Sequence, residues 1–189
     1  MANTDAIRWN HRYLTNEYRN IRHPRSLLYQ AKPFLPHSGI ALDVACGLGT
    51  NARFLIQNGL NVIGVDISLV ALQQARRNYP KFELICADME NIYFPNAYFD
   101  VIINFYYLQR SLWSSFRKWL KPGGLLIIET LKREMREIKP EICVDFLLSP
   151  NELQLAFADL DILYYQEGWT SQSTTHPRCI ASLIARKPV

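Results

Sequence analysis

Short runs of almost wholly apolar residues alternate along this chain with segments of helical periodicity. Ile40, Leu42 and Val44 drive one run into a buried strand, and Asn61–Asp66, Phe82–Asp88, Phe99–Asn104 and Leu125–Thr130 repeat the pattern. Near-continuous apolar runs of this length are what strands covered on both faces require. Between them lie a helix beginning near Thr50 that carries Ala52, Phe54, Leu55 and Ile56 and ends at Asn58-Gly59, and a helix with Leu69, Val70, Leu72 and Ala75. The second starts at the cap residue Ser68 and stops before Pro80. An amphipathic helix is predicted over 109–120, from Leu112, Phe116, Trp119 and Leu120, and Lys121-Pro122-Gly123-Gly124 turns the chain into the fifth strand.

The two ends read differently. Residues 6–20 place Trp9, Tyr13 and Leu14 near i, i+4 spacing with charge opposite, predicting a short helix. Residues 26–31 predict a second helix, stopped by Pro33 and Pro36. Near the other terminus a helix over 151–158, with Ser149 as its cap, precedes two strands, 160–166 and 179–186, with no helix between them. A strand that returns without a crossover must pair antiparallel. The fold class expected is therefore α/β: a doubly wound, seven-stranded, mostly parallel sheet with an antiparallel last strand. Residues 1–189 read as one domain, with 1–32 as an N-terminal helical arm over the site. Residues 132–150 form the longest connection without a clear element and are the expected substrate cover.

Composition narrows the class. With 189 residues, 49% hydrophobic and 20% charged, the chain has the make-up of a globular domain with a full core. No apolar run suggests a membrane span, and the first residues lack the basic and apolar regions of a secretory leader. Cys46, Cys86, Cys143 and Cys179 are scattered, which argues against a zinc site or a disulfide framework and suits a reducing cytoplasm. The formal charge of +4 resides in residues 1–32, where six basic residues face two acidic ones. A basic arm on an otherwise balanced body does not suit a nucleic-acid face. It fits either a solvated helix face or an anion, such as a cofactor carboxylate or the substrate.

The chemistry gathers at the strand ends. Asp43, Asp66 and Asp88 close three successive strands, and Gly47 and Gly49 follow the first in a turn whose bare backbone admits a ligand. Any one aspartate there can simply cap the next helix. Three in register, at the edge where open α/β sheets bind ligands, call for a partner rich in hydroxyls and amines. Asp66, about 20 residues past the turn, is placed for a ribose diol, as in dinucleotide-binding folds. Yet the turn lacks the third small residue of the dinucleotide fingerprint, and Asp43 would repel a pyrophosphate while welcoming an ammonium or sulfonium. A cofactor with a cationic head, a ribose and a base fits these residues.

The chain resembles the class I S-adenosylmethionine-dependent methyltransferases along nearly its whole length. Leu42-Asp43-Val44-Ala45-Cys46-Gly47-Leu48-Gly49 matches their first motif, Gly64-Val65-Asp66-Ile67-Ser68 the second, and Cys86-Ala87-Asp88-Met89 the third. Asp100–Asn104 and Leu120–Gly124 fill the later ones. The resemblance implies a Rossmann-like methyltransferase fold and S-adenosyl-L-methionine as co-substrate. It implies that the backbone around Ala45, Gly47 and Gly49 holds the methionine moiety, with Asp43 near its amino group. Asp66 would take the ribose, Ile67 would pack on the adenine, and Asp88 and the Met89 N–H would meet the adenine edge. Asn104 and Phe105 would line the methyl-transfer gap, and Arg12 would reach the cofactor carboxylate or an anionic acceptor.

A finer similarity runs to the small tellurite-resistance methyltransferases and, through them, to thiopurine-type enzymes. It is carried by Gly49-Thr50-Asn51, Trp9-Asn10-x-Arg12-Tyr13, Asp145–Leu148 before Glu152-Leu153, and Ala185-Arg186-Lys187. That group uses His and Arg between the last two strands for the acceptor, which implies His176 and Arg178 here, with Tyr106, as catalytic residues and Asn51 as part of the cofactor site. Pro177 separates the first two, and an exposed loop histidine is the plainer reading of His176.

In-line methyl transfer asks mainly for alignment and exclusion of water, worth up to roughly 7–11 kcal/mol at ideal geometry. Tyr106, Tyr107, Trp9 and Tyr13 supply aromatic surface that could enclose a cationic methyl or simply pack. Asn104-Phe105-Tyr106-Tyr107 lacks both prolines of the Asn-Pro-Pro-Tyr turn that presents planar amines, so nucleic-acid bases and protein amides are poor candidates. The expected protein is a cytoplasmic methyltransferase, a monomer or weak homodimer, with neither nucleic acid nor membrane as partner. Its acceptor is expected to be a small molecule, a thiol or chalcogen oxyanion by preference. Methylation of oxygen or carbon on a quinone or lipid precursor is the rival within the class. Outside it stand a cofactor-binding regulatory protein without turnover and, more remotely, a nicotinamide-dependent dehydrogenase.

Overall fold

Seven strands form one sheet whose order places the fourth strand at its centre, beside the first. The structure, a computed structural model, describes residues 2–15, 23–80, 82–170 and 177–189. In chain order the elements are α1 (Ala2–Leu14), α2 (Ser26–Ala31), β1 (Gly39–Val44), α3 (Thr50–Gln57), β2 (Leu60–Asp66), α4 (Leu69–Asn78), β3 (Glu83–Cys86), β4 (Phe99–Phe105), α5 (Trp113–Trp119), β5 (Leu120–Leu131), α6 (Glu152–Ala156), β6 (Asp161–Trp169) and β7 (Cys179–Arg186). The order across the sheet is β3-β2-β1-β4-β5-β7-β6. β1 to β5 pair in parallel, and β7 enters antiparallel between β5 and β6. The chain reverses direction across the sheet between β1 and β4, and a ligand crevice opens at such a switch point.

Alternation along the strands builds two cores. Ala41, Val62, Val101, Ile103, Ile127 and Ile184 meet Leu27, Leu28 and Ala31 of α2, Phe54 and Leu55 of α3, and Leu72 of α4. Leu42, Ile102, Leu126 and Leu183 turn the other way, onto Phe116 and Trp119 of α5 and Leu153 of α6. Burying one such side chain contributes about 1.5–3 kcal/mol, so this double layer fixes the strand ends on which the site stands. By the same period of two, Asp43, Asp66, Glu129 and Ser182 share the face of α2, α3 and α4.

Several boundaries differ from those the sequence predicts. α1 begins at Ala2 rather than near residue 6, and the remainder of the predicted span, 16–20, lies outside the described residues. β3 stops at Cys86, so Asp88 lies two residues beyond it. Asp88 heads a 3-10 turn there, accepting the Glu90 N–H at 3.0 Å. The predicted helix over 109–120 opens as a 3-10 turn at Arg110–Leu112 before α5. Lys121–Gly124, predicted as a turn, is drawn into β5: Gly123 N donates to Lys187 O and Lys187 N to Gly124 O, both at 2.9 Å. Asn151, in the left-handed region at φ 58°, heads α6, while the Glu152 carboxylate accepts the Ser149 N–H at 2.8 Å. Ser68 caps α4 as predicted, accepting the Ala71 N–H.

Residues 132–150 hold two 3-10 turns and are strapped down. Arg110 donates to Asp145 O at 2.8 Å, to Leu147 O at 3.0 Å and to the Glu152 carboxylate. Met135 and Leu147 form a small satellite core with Cys179.

Candidate active site

The site is built where β1 gives way to α3. Ala45 and Gly47 sit at φ 51° and 53°, and Gly49, heading α3, at φ 73°. Glycine takes this conformation freely; Ala45 takes it at a cost that local packing must offset. A Cβ at Gly47 would come within 2.5 Å of the Tyr13 hydroxyl, so α1 lies directly against the turn. Asn10 fastens α1 at the head of α4, its Oδ1 accepting from Ser68 Oγ at 2.8 Å and from Val70 N at 3.1 Å. Arg12 stacks on Trp9, with its guanidinium carbon 4.8 Å from the ring centroid.

Asp66 ends β2 with both carboxylate oxygens engaged: Oδ2 accepts the Gly47 N–H and Oδ1 the Ser68 N–H, each at 2.8 Å. Burial pushes its carboxyl above the usual range, and the backbone N–H bonds of Ser68, Gly47 and Ile67 pull it back. Asp43, fully enclosed, is pushed well above the usual range, first by burial and then by the charge of Asp66; the Ala52 N–H acts against both. That bond to the first turn of α3 is the capping role the sequence allowed for. The other oxygen, Oδ2, is buried without a partner. One oxygen of Asp43 therefore holds the helix, and one is left for something else.

Asn104, on β4 and in register with Val44, is likewise buried with an unpartnered Oδ1. Buried acceptors without donors cost about 1–3 kcal/mol each, and native structures keep few of them. Phe105 follows, buried against the α2 and α3 side. On the far side of Asp66, Ile67 is half-buried, Met89 is buried, and Asp88 is half-buried at its 3-10 turn. The Tyr107 hydroxyl is pushed upward first by burial and then by Asp88, Glu90, Asp5 and Asp66. This end of the sheet is thus an acidic enclosure, suited to a cation.

A second group assembles one strand over, around Tyr106, itself in the left-handed region at φ 58°. Its hydroxyl donates to Glu129 Oε1 at 2.9 Å, and Ser182 Oγ donates to Glu129 Oε2 at 3.0 Å. The guanidinium carbons of Arg25 and Arg178 lie 4.3 and 5.3 Å from the Tyr106 ring centroid. Asn51 joins this group to α3, its Oδ1 accepting the Arg25 N–H at 3.1 Å. A cavity of about 220 Å³ opens beside it, lined by Ser26, Gln30, Glu129, Gln166, Trp169 and Ser182 among others. His176 lies outside the described residues.

Comparison with known proteins decides the family. A methyltransferase-domain family profile matches residues 41–124, the span from β1 into β5. An uncharacterized methyltransferase of Synechocystis is 30% identical over 139 residues, 68% of this chain and 66% of the relative. A demethylmenaquinone methyltransferase of Tropheryma whipplei is 31% identical over 106 residues, 52% of this chain and 44% of that one. TehB of Haemophilus influenzae superposes with a TM-score of 0.71 at 20% identity, covering 93% of this chain and 66% of its own. The chain belongs to the class I S-adenosylmethionine-dependent methyltransferases.

That co-substrate is a cationic nucleoside, and the residues present fit it. The unpartnered Asp43 Oδ2 and Asn104 Oδ1 can each accept from a charged amine, and a turn with two glycines lies beside Asp43. In this methyltransferase Asn51 holds Arg25 and Asp88 caps a turn, contacts that bind elements together. The sequence predicts no role for Glu129 or Arg25, and for Asn10 only a place in the Trp9-Asn10-x-Arg12-Tyr13 stretch. Glu129 carries a legible signal, a carboxylate at the tip of an apolar strand like the aspartates. The contacts of Arg25 and Asn10 have none, since their partners lie on distant elements. Among the described residues no helix is long and apolar enough to cross a membrane. The chain spans two thirds or less of these curated relatives.

Proposed function

We propose that the chain transfers the methyl group of S-adenosyl-L-methionine to a small polar acceptor, by preference a thiol sulfur or the chalcogen of an oxyanion such as selenite or tellurite. The observation that carries the first half is the pair of buried, unpartnered oxygens on Asp43 and Asn104 beside a turn of left-handed backbone. A bound amino group supplies the donor that Asp43 lacks, and Asn104, on the opposite face of the sheet, accepts from a second donor of the ligand. Asp66, whose three backbone N–H bonds leave acceptor capacity over, takes the ribose diol, and Ile67, Asp88 and Met89 border the adenine. The backbone of Ala45, Gly47 and Gly49 borders the methionine moiety, with Tyr13 packed on Gly47 and Phe82 on Gly49. Residues 1–32 act as an arm over this site within a single domain, and Tyr13 against Gly47 and Arg12 on Trp9 place α1 for that work.

The co-substrate supplies an activated methyl on a sulfonium. The chain's own task is to align the acceptor, exclude water and stabilise the charge it brings. Two guanidiniums at Tyr106 support an anionic or easily polarised acceptor: neither Arg25 nor Arg178 has a carboxylate within 4.0 Å among the described residues. The cavity, at about 220 Å³, falls below the usual range for drug-sized ligands and favours a small acceptor. Methylation of carbon or oxygen on a quinone or lipid precursor is the second reading, and the name of the Tropheryma relative speaks for it. We place the protein in the cytoplasm, as a monomer or weak homodimer acting without nucleic acid or membrane.

Calorimetric titration with the co-substrate and its demethylated product, followed by transfer assays on thiols, selenite, tellurite and a quinol, tests this function. Binding with transfer to a soft acceptor is expected. Binding without turnover on any of them would make the chain a cofactor-binding regulator.

A further inference from the structure

We propose that the cavity at the end of β5 is the acceptor site, that Glu129 takes the proton of the reacting group there, and that Arg25 and Arg178 hold an anionic group on the same molecule. The substrate class is then a small thiol bearing a carboxylate or similar anion. This inference rests on the methyltransferase reading and sharpens it.

Glu129 is 4% exposed, and no Lys or Arg of the described residues comes within 4.0 Å of it. Its support comes from the Tyr106 and Ser182 hydroxyls, one on each oxygen. A carboxylate offers about four lone-pair sites, so each oxygen keeps room for a further donor, and the side chain lines the cavity. The placement is also right for transfer. Glu129 pairs in register with Phe105, and the Tyr106 N–H donates to Glu129 O at 2.8 Å, so Glu129 stands between the cavity and the end of β4. The cavity wall is negative, with Glu129 and Glu167 on it. The positive pole stands beside it, behind Glu129, where Arg178 Nη1 reaches the Tyr106 hydroxyl at 3.5 Å and Arg25, next in the chain to the lining residue Ser26, covers the ring. A ligand that satisfies both poles carries an anion at one end and a proton-bearing nucleophile at the other.

A carboxylate is a sufficient base here. The S–H of a free thiol is weakly acidic, but as its lone pair forms the new C–S bond the sulfur gains sulfonium character and the proton is shed readily. The proton passes to Glu129, the thiol's lone pair becomes the S–CH3 bond, and the electrons of the old C–S bond stay with the departing sulfur as a neutral thioether. Charge and atoms balance with no oxidant or reductant.

The test compares 3-mercaptopropionate with 2-mercaptoethanol in wild type, Glu129→Gln and Arg25→Gln, with co-substrate affinity measured calorimetrically in each. Wild type should prefer the anionic thiol about tenfold in kcat/KM. Glu129→Gln should lower kcat about 100-fold or more, the usual scale of general-base catalysis. It should abolish the acidic limb of the pH–rate profile and leave co-substrate affinity within about twofold. Arg25→Gln should raise KM for 3-mercaptopropionate and leave that for 2-mercaptoethanol in place. Should Glu129→Gln fail to fold, Glu129→Asp replaces it; a reduced kcat with the acidic limb retained supports the assignment. Unchanged kcat in the Glu129 variant, equal use of the two thiols, or co-substrate binding with neither thiol methylated overturns it. Loss of co-substrate binding in the wild type is a different failure, and overturns the methyltransferase reading itself.

Discussion

The Asp66 carboxylate accepts the Gly47 N–H at 2.8 Å, tying the end of β2 to the turn that follows β1. One side chain thereby holds the bare-backbone turn in shape and presents its remaining acceptor capacity at the sheet edge. The second oxygen, on Ser68 N, fixes the start of α4 in the same way. A carboxylate held this rigidly can accept from a ligand hydroxyl without reorganisation, which favours affinity.

Asp66→Ala should accordingly weaken binding of the co-substrate and of its demethylated product alike, by about 1.5–3 kcal/mol for a lost charged hydrogen bond. Calorimetry measures both, and unchanged affinity would remove the ribose role.

Much of this was readable beforehand. Apolar runs with carboxylates at their tips announced the strands and the ligand edge, because burial on both faces leaves no other place for charge. Element ends were less legible. Asp88 looked like a third strand-terminal carboxylate, but β3 is an edge strand of four residues, and pairing with β2 gives out at Cys86. The Lys121–Gly124 stretch looked like a turn because its pairing partners lie past β7, more than 60 residues on. The Arg25–Tyr106–Arg178 group was illegible for the same reason: its members come from three distant stretches that only the sheet order brings together.

Asp43 makes stability depend on pH in a defined sense. Its folded-state carboxyl is raised, chiefly by burial, above the value of about 3.9 expected in the unfolded chain. The fold therefore holds this proton more tightly, and the contribution is fully present below about pH 4 and lost as pH rises through the raised value. Asp43→Asn removes that loss while keeping an oxygen for the Ala52 N–H. Urea denaturation should find the variant gaining on wild type between pH 4 and pH 8, and parallel curves would contradict this. The same variant should bind the co-substrate more weakly, so stability and affinity move in opposite directions.

Gly64, on β2, leaves room for Phe82. A Cβ there would stand 2.4 Å from the Phe82 ring and 2.8 Å from Cys46 Sγ. Gly64→Ala should therefore destabilise the fold by about 1–3 kcal/mol, the usual scale of overpacking, and adding Phe82→Leu should recover part of it. Thermal melts of the single and double variants decide; an unaltered melting temperature in Gly64→Ala would refute the packing account.

Arg110 is the clasp of the 132–150 segment, through the Asp145 and Leu147 carbonyls and Glu152. Arg110→Ala should free that segment with little effect on the sheet. With about 1–1.5 kcal/mol of local hydrogen bonding removed, amide exchange at 145–148 should accelerate roughly tenfold while β1 and β4 stay protected. Uniform acceleration across the sheet would show that the clasp supports the whole fold instead.

The most direct measurement is calorimetric titration of the wild-type chain with S-adenosyl-L-methionine, repeated in buffers of different ionisation enthalpy at mildly acidic pH. One equivalent should bind and release protons, because a cationic head beside Asp43 draws its raised carboxyl back toward the charged form. No heat, or binding without proton release, would contradict the claim that the buried carboxylates of β1 and β2 receive a positively charged nucleoside.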